Sequence, residues 1–150
     1  MSRIRGEFFA NGFRENTLSF ERGTVGLARS DFEEWAEELG IPQLVDQGYN
    51  TGFAQFFIVT EDRRPFFDGL YTAFGRVIEG MEIVDQLLTL ETEVNIDEET
   101  GEETETTRPV EKPIMSRVTV DTFGIEYGEP ELVRTFDINA FLIEHFGLSF

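Results

Sequence analysis

The sequence predicts a mostly β fold with a few short helices. Short apolar stretches that favour extended structure recur along the chain, and glycine-containing turns separate several of them. Two segments, 32–39 and 81–90, instead repeat apolar residues at helical spacing. With 150 residues, of which 40% are apolar, the chain is long enough to form one domain around a hydrophobic core.

The first half of the chain gives the clearest strands and one helix. Residues 4–9 read as a strand that ends at the turn Asn11-Gly12, and 18–20 and 23–28 read as extended segments. Ser30 and Glu33 have the spacing of a capping box, in which each side chain bonds an otherwise unpaired backbone N–H. The helix that follows places four apolar residues on one face and ends at Gly40, and these residues are Phe32, Trp35, Ala36 and Leu39.

The rest of the chain predicts three more strands, a hairpin, two helices and an acidic loop. We expect strands at 54–60 and 72–77, a loop at 60–69 between them, and a helix at 81–90. Residues 91–105 hold too little apolar surface to offset the entropy of ordering, so a mobile acidic loop is expected there. A closing strand is expected at 114–123 and a hairpin at 124–134. An amphipathic helix from Asp137 to Gly147 is expected last.

The charge of the chain excludes several classes of partner. Thirty acidic residues against 12 basic ones give a formal net charge of −18, which disfavours binding to nucleic acid phosphates and to anionic membranes. There is no cysteine, so neither disulfides nor thiolate metal sites are expected. No apolar stretch approaches the roughly 20 residues of a membrane span, and no signal peptide is recognised at Met1. Cytoplasmic residence is expected.

A buried glutamine flanked by aromatic residues is the most informative motif. Gln55-Phe56-Phe57 lies in the stretch Asn-Thr-Gly-Phe-Ala-Gln-Phe-Phe-Ile, and other blocks accompany it in a fixed order. Upstream stands Arg-Gly-Thr-Val-Gly-Leu-Ala-Arg at 22–29. Downstream stand Phe-Phe-Asp-Gly at 66–69, Phe-Gly-Arg-Val-Ile-Glu-Gly-Met-Glu at 74–82 and Ser-Arg-Val-Thr-Val at 116–120. In this order the blocks resemble the cyclophilin family of peptidyl-prolyl cis-trans isomerases.

The resemblance implies a cyclophilin-like β-barrel with capping helices, here incomplete. It covers roughly residues 4–121, so we divide the chain into a partial cyclophilin-like domain, 1–123, and a C-terminal extension, 124–150, that carries an amphipathic helix. Two segments of the domain depart from the usual family pattern. Residues 31–48 resemble an insertion beside the binding groove, and 91–108 form the acidic mobile loop.

Prolyl isomerisation requires a site that stabilises a twisted amide. Rotation about the prolyl amide crosses a barrier of about 18–20 kcal/mol and takes tens to hundreds of seconds unassisted. No bond is broken, so neither a nucleophile nor a metal nor a cofactor is expected. An apolar pocket for the proline ring and fixed hydrogen-bonding groups for the flanking backbone favour the twisted amide over either planar form.

The resemblance also implies which residues form that site. Phe57 would be the floor of the proline pocket, the backbone of Ala28 and Arg29 would pair with the substrate N-terminal to the proline, and Gln55 would supply a side-chain hydrogen bond. Three aromatic residues would complete the substrate-binding set where family members commonly carry tryptophan, leucine and histidine, and these are Phe66, Phe67 and Tyr71. Taken without the resemblance, the phenylalanines also fit an ordinary hydrophobic core.

One family feature has no counterpart among the 150 residues. The family's catalytic arginine lies in a Phe-His-Arg segment that is followed by a Met-x-Gln-Gly-Gly turn. No residue of this chain matches that arginine, so no catalytic residue is assigned. We therefore keep three functions open: an isomerase that acts on X-Pro bonds of peptides and unfolded proteins, a noncatalytic or chaperone-like module that binds proline peptides, and a fragment that needs a complementing N-terminal chain. Self-association is expected in the last case, because open sheet edges invite pairing.

Overall fold

A computed structural model describes residues 2–96, 103–130, 132–134 and 137–147. The chain divides into two compact units, one formed by Met1–Val77 with Glu129–Phe150 and the other by Ile78–Gly128. Seven strands are described: β1 (Ser2–Ile4), β2 (Thr24–Leu27), β3 (Phe56–Ile58), β4 (Thr72–Arg76), β5 (Thr92–Ile96), β6 (Glu103–Pro109) and β7 (Leu132–Arg134). The α-helices are α1 (Glu33–Leu39), α2 (Leu44–Gly48), α3 (Arg64–Phe67), α4 (Met81–Leu87) and α5 (Ile138–Phe146).

A three-stranded antiparallel sheet forms the centre of the first unit. β2 lies in the middle, with β3 on one side and β4 on the other. Gly26 of β2 stands opposite Phe57 of β3 and Ala73 of β4. The three strands predicted from the apolar stretches are therefore present, although each is shorter than its stretch. This sheet places the Gln-Phe-Phe motif beside the end of β2.

The core of this unit consists of aromatic and small residues. Phe20, Val59 and Ala73 are almost fully buried, and half-buried rings pack against them. Gly26 makes this packing possible, because a Cβ atom at that position would lie 2.5 Å from Cζ of Phe57 and 2.7 Å from Cε1 of Phe20. Contacts that short do not occur in real structures, so any larger residue at this position would force the two rings to move.

Residues 31–48, which are predicted to be an insertion, contain two short helices in place of the single predicted one. α1 ends at Gly40 in the left-handed conformation, as predicted, but the capping box is wrong. Phe32 is the N-cap residue, and the Glu33 N–H donates to Oδ1 of Asp31 at 3.1 Å instead of bonding to Ser30. Aspartate side chains readily accept a hydrogen bond from the backbone N–H two residues later, and Asp31 accepts this bond from Glu33 in place of Ser30. The second helix, α2, buries Leu44.

The C-terminal segment belongs to the first unit. β7 pairs antiparallel with β1, with Arg3 opposite Val133, so the predicted hairpin within 124–134 is wrong. Strand pairing with the distant β1 replaces the local turn. The last helix is confirmed as α5: the Asp137 side chain accepts a hydrogen bond from Ala140 N–H at 3.0 Å, and Gly147 ends the helix in the left-handed conformation. Leu142 is fully buried, so α5 packs onto its unit.

The second unit corrects the prediction for the acidic segment. β5 and β6 pair as an antiparallel hairpin, so an irregular loop is wrong for Thr92–Ile96 and Glu103–Pro109. β-branched residues at 92, 94 and 96 and at 104, 106 and 107 favour extended structure despite the acidic composition. Residues 97–102 of the predicted loop lie outside the described residues.

The predicted closing strand is wrong in this structure. Residues 114–123 form no strand, and their apolar side chains are exposed, among them Val120 at 84%. A strand exists only through hydrogen bonds to a neighbour, and β5 and β6 already pair with each other. The antiparallel sheets and short helices support the predicted mostly β class, and closure into a barrel stays a prediction. Within the described residues, no helix is long and apolar enough to span a membrane.

Candidate functional site

The end of β2 brings together three of the predicted substrate-binding residues. After the last residue of the strand, the Ala28 N–H still donates to the Gln55 carbonyl at 2.9 Å, and Arg29 follows it. The Ser30 N–H then donates to Oγ1 of Thr51 at 2.7 Å. These two bonds hold the segment 28–30 against the segment 51–55. Ala28, Arg29 and Gln55 therefore lie at one place in the fold.

A cleft opens between these two segments, and we call it the strand-end cleft. Its volume is about 420 Å³, and eight residues line it. Ala28, Arg29 and Ser30 lie on one segment. Thr51, Phe53, Ala54 and Gln55 lie on the other, and Arg3 of β1 completes the lining. The expectation of a buried Gln55 is wrong, because this residue is exposed. β3 begins only at Phe56, so Gln55 stands at the open edge of the cleft.

Four rings pack together beside the sheet and form what we call the aromatic cluster: Phe20, Phe57, Phe67 and Tyr71. Phe57 stacks on Phe20 with centroids 5.8 Å apart, and it meets Phe67 and Tyr71 edge to face at 5.6 and 5.7 Å. Edge-to-face and offset arrangements at these distances are the favourable ones for aromatic pairs. Three of the predicted residues are thus in mutual contact.

Phe20 is the member of the aromatic cluster that sequence reasoning missed. Its backbone N–H donates to Oδ1 of Asp68 at 2.8 Å, and its carbonyl accepts from Arg63 N–H at 2.9 Å. These bonds tie Phe20 to the loop that carries α3 and Phe67. The predicted Phe66 differs from its neighbour, because it is 63% exposed and does not belong to the aromatic cluster.

Arg29 connects the strand-end cleft to the aromatic cluster. Its Nε donates to the Leu70 carbonyl and its Nη1 to the Ser30 carbonyl, both at 2.9 Å. Its guanidinium carbon lies 4.5 Å from the ring centroid of Tyr71, 5.3 Å from that of Tyr49 and 5.9 Å from that of Phe8. The Arg29 side chain, for which the resemblance implied no role beside that of its backbone, therefore has a structural role.

A small amide network positions the second wall of the cleft. Oδ1 of Asn50 accepts from the Gly6 N–H at 3.0 Å and from Nδ2 of Asn11 at 2.8 Å. Nδ2 of Asn11 also donates to the Gly6 carbonyl at 2.7 Å. The segment that precedes Thr51 is thereby fixed to the N-terminal part of the chain. The pattern Asn11-Gly12 predicts only a turn, so the sequence offers no signal for this contact.

The arginines at the start of α3 form ion pairs with nearby carboxylates. Arg64 pairs with Asp62 and, at 3.4 Å, with Glu21, while Arg63 pairs with Glu61. The side-chain hydrogen bond from Arg64 lowers the pKa of Asp62, and the same bond raises the pKa of Arg64. These arginines are engaged with neighbouring carboxylates. Among the described residues, no cluster of acidic or histidine side chains is arranged to hold a metal ion.

The comparisons with known proteins identify a family. The model of the family described as "Cyclophilin type peptidyl-prolyl cis-trans isomerase/CLD" matches residues 2–120. A protein of Brucella abortus (strain 2308) named "Probable peptidyl-prolyl cis-trans isomerase" is 40% identical over 68 residues, which are 45% of this chain and 26% of that protein. No solved structure matches the chain.

Animal relatives align over a longer share of their own length. "Peptidyl-prolyl cis-trans isomerase-like 3" of Gallus gallus is 44% identical over 76 residues, 47% of each chain. The protein of the same name from Mus musculus is 39% identical over 72 residues, 44% of each chain. The chain thus spans a quarter to a half of the length of these relatives. Because the family match covers most of the sequence, the resemblance is confirmed, and the chain belongs to the cyclophilin-type peptidyl-prolyl cis-trans isomerases.

Proposed function

We propose that this chain binds X-Pro segments of peptides and unfolded proteins and acts on them as a peptidyl-prolyl cis-trans isomerase. The observation that carries the proposal is the family match over residues 2–120. The grouping of Ala28, Arg29 and Gln55 around the strand-end cleft supports it. The chain spans less than half of the length of these aligned relatives.

In this proposal the two parts of the site have different tasks. The backbone of Ala28 and Arg29 pairs with the peptide on the N-terminal side of the proline, and Gln55 at the open edge supplies a side-chain hydrogen bond. The proline ring packs on the aromatic cluster, where Phe57 and Tyr71 are only half-buried. Apolar contact at the ring and polar contact at the backbone are the combination that a prolyl site requires.

A slower, binding-dominated function is the second candidate. The catalytic-arginine segment of the family has no counterpart in the sequence. Arg29, which stacks on the aromatic cluster, already donates to two carbonyl groups. Loss of one positioned donor typically costs about 10²- to 10³-fold in rate. We therefore expect the isolated chain to bind proline peptides and to isomerise them slowly. A separate chain that carries the family's N-terminal part would raise the rate.

Nuclear magnetic resonance separates binding from turnover. Titration with acetyl-Ala-Ala-Ala-Pro-Phe-amide should shift the amide signals of Ala28, Arg29 and Gln55. Exchange spectroscopy on the peptide should show cis-trans exchange that is faster than the uncatalysed exchange, which takes tens to hundreds of seconds, but slower than exchange catalysed by active family members. The same peptide with alanine in place of proline is the control and should bind more weakly. A folded chain that shows no shift at these three residues contradicts the proposal, and exchange at the rate of active family members contradicts its slow-turnover part.

A further inference from the structure

The strand-end cleft carries positive charge on a strongly acidic protein. Two of its eight lining residues are arginines, Arg3 and Arg29, and none is acidic. The whole chain has 12 basic residues against 30 acidic ones. The two arginines of this cleft therefore contrast with the net negative charge of the chain.

Four other arginines of the described structure lie beside acidic side chains. Arg63 and Arg64 pair with the carboxylates of their own loop, Arg76 approaches Glu21 at 3.7 Å, and Arg108 approaches Glu93 at 3.5 Å. Within the ranges that the structure describes, neither Arg3 nor Arg29 has a carboxylate partner. Arg29 is held by two backbone carbonyls instead, which position its charge without neutralising it.

Arg3 is the arginine of the cleft that has an unpartnered donor. Its guanidinium carbon lies 5.0 Å from the ring centroid of Phe53, which also lines the cleft. The Nε atom is buried, and no hydrogen-bond partner for it exists among the described residues. A buried donor without a partner is unfavourable, and the planar guanidinium matches the two oxygens of a carboxylate. Pairing of β1 with β7 fixes the backbone on which Arg3 stands.

We propose that the strand-end cleft selects peptides with an aspartate or glutamate on the N-terminal side of the proline, and that Arg3 binds this carboxylate. The inference rests on the proposed function, because the backbone of Ala28 and Arg29 determines which side of the proline enters the cleft. A volume of about 420 Å³ is within the range of roughly 300–1,000 Å³ that is typical of ligand pockets.

The net charge of the chain makes this selectivity diagnostic. A protein of charge −18 repels anionic peptides and attracts cationic ones at long range. Without a local positive site, a lysine-containing peptide should therefore bind best and a glutamate-containing peptide worst. The inferred order is the reverse. High salt weakens both the long-range repulsion between the chain and the acidic peptide and the contact of that peptide with Arg3. Binding of the acidic peptide should therefore improve less with salt than it would if only the repulsion were screened.

Fluorescence anisotropy with three labelled peptides tests the inference. The peptides share the sequence Ala-x-Ala-Pro-Phe, acetylated and amidated, with glutamate, glutamine or lysine at x. The glutamate peptide should bind about five- to tenfold more tightly than the glutamine peptide, the range for one charged hydrogen-bonded pair that is partly exposed to solvent. Arg3→Gln should abolish this preference, and Arg3→Lys should retain part of it because the charge remains.

Arg14→Gln is the matched control. The Arg14 guanidinium also lies over a phenylalanine ring, Phe9, at 5.2 Å, but Arg14 does not line the cleft. This variant loses the same charge and should keep the preference for glutamate. Equal binding of the glutamate and glutamine peptides to the wild type overturns the inference and leaves the proposed function intact. Failure of all three proline peptides to bind a folded chain overturns the proposed function instead.

Discussion

The guanidinium carbon of Arg29 lies 4.5 Å from the centroid of the Tyr71 ring, and through this contact the strand-end cleft is joined to the aromatic cluster. The same guanidinium donates to the carbonyls of Leu70 and Ser30. It also lies 5.3 Å from the ring centroid of Tyr49 and 5.9 Å from that of Phe8, so three distant stretches of the chain converge on one side chain. These side-chain contacts hold Arg29 in place. They therefore also set the position of its backbone, which lines the proposed peptide site.

Arg29→Lys should destabilise the protein by about 1–2 kcal/mol. An ammonium group is a compact charge on a flexible stem, so it cannot donate to both carbonyls while also lying over the Tyr71 ring. Urea denaturation followed by circular dichroism measures the free energy of unfolding. Arg14→Lys at the surface is the control and should change it by less than about 0.5 kcal/mol. Equal effects of the two substitutions would show that the Arg29 contacts contribute nothing specific.

Gly26→Ala should destabilise the first unit by about 1–3 kcal/mol or prevent its folding. The added methyl group would overlap the rings of Phe57 and Phe20, and overpacking of a dense core has costs of this size. Gly75→Ala on the neighbouring strand β4 is a matched control. Its Cβ would lie 3.8 Å from Cβ of Val25, which is an ordinary contact. Thermal melts of both variants should differ clearly, and two similar melts would contradict the packing of Gly26.

Local patterns in the sequence predicted the strands and helices better than they predicted contacts between them. β2, β3, β4, α1, α4 and α5 were each expected from apolar spacing and turn residues. The contacts of Arg29 with Phe8, Tyr49 and Tyr71 join positions far apart in the chain, and local periodicity carries no record of them. The pairing of β5 with β6 was missed for a different reason. The acidic composition of this segment predicted a loop, although its β-branched residues favour strands.

The candidate site shows the same division. Comparison of ordered blocks with the family predicted Ala28, Arg29 and Gln55, which line one cleft, and Phe57, Phe67 and Tyr71, which form one cluster. It missed Phe20 and Arg3, because neither belongs to a block used in the comparison. Phe20 reaches the cluster through hydrogen bonds to Asp68 and Arg63, more than 40 residues along the chain.

Phe57→Ala should weaken both peptide binding and folding. The ring of Phe57 contacts three members of the aromatic cluster and is half-buried, so its removal should cost about 2–4 kcal/mol of stability. Loss of binding in this variant alone is therefore ambiguous. Phe57→Leu keeps most of the apolar volume and should remain folded while binding proline peptides several-fold more weakly.

Phe74→Ala serves as the control for these substitutions. Phe74 on β4 is 57% exposed, so its truncation should leave both stability and peptide binding nearly unchanged. Binding is measured by peptide titration on samples whose melting curves show a folded state. If Phe57→Leu binds as tightly as the wild type, the proline ring does not rest on the aromatic cluster, and the proposed task of Phe57 is wrong.

Self-association should rise with salt. Residues 114–123 form no strand, and Phe123 is 87% exposed in a segment that also exposes Ile114, Val118 and Val120. Apolar surface of this kind favours pairing with a second copy. The net charge of −18 opposes the approach of two chains, and this repulsion fades as the screening length falls from about 30 Å at 0.01 M to about 3 Å at 1 M salt. Sedimentation velocity should therefore show a monomer at low salt and larger species at high salt.

Phe123→Asn tests whether this segment is responsible. Phe123 has a positive φ of 52°, a conformation that asparagine adopts more readily than phenylalanine, so the substitution removes an exposed ring without straining the backbone. Association at high salt should decrease while the melting temperature is kept. Ile78→Asn is the control, because it also removes a highly exposed apolar side chain but lies outside 114–123. An equal decrease in both variants would point to general surface hydrophobicity, and a wild type that stays monomeric at every salt concentration would show that the exposed segment does not pair at all.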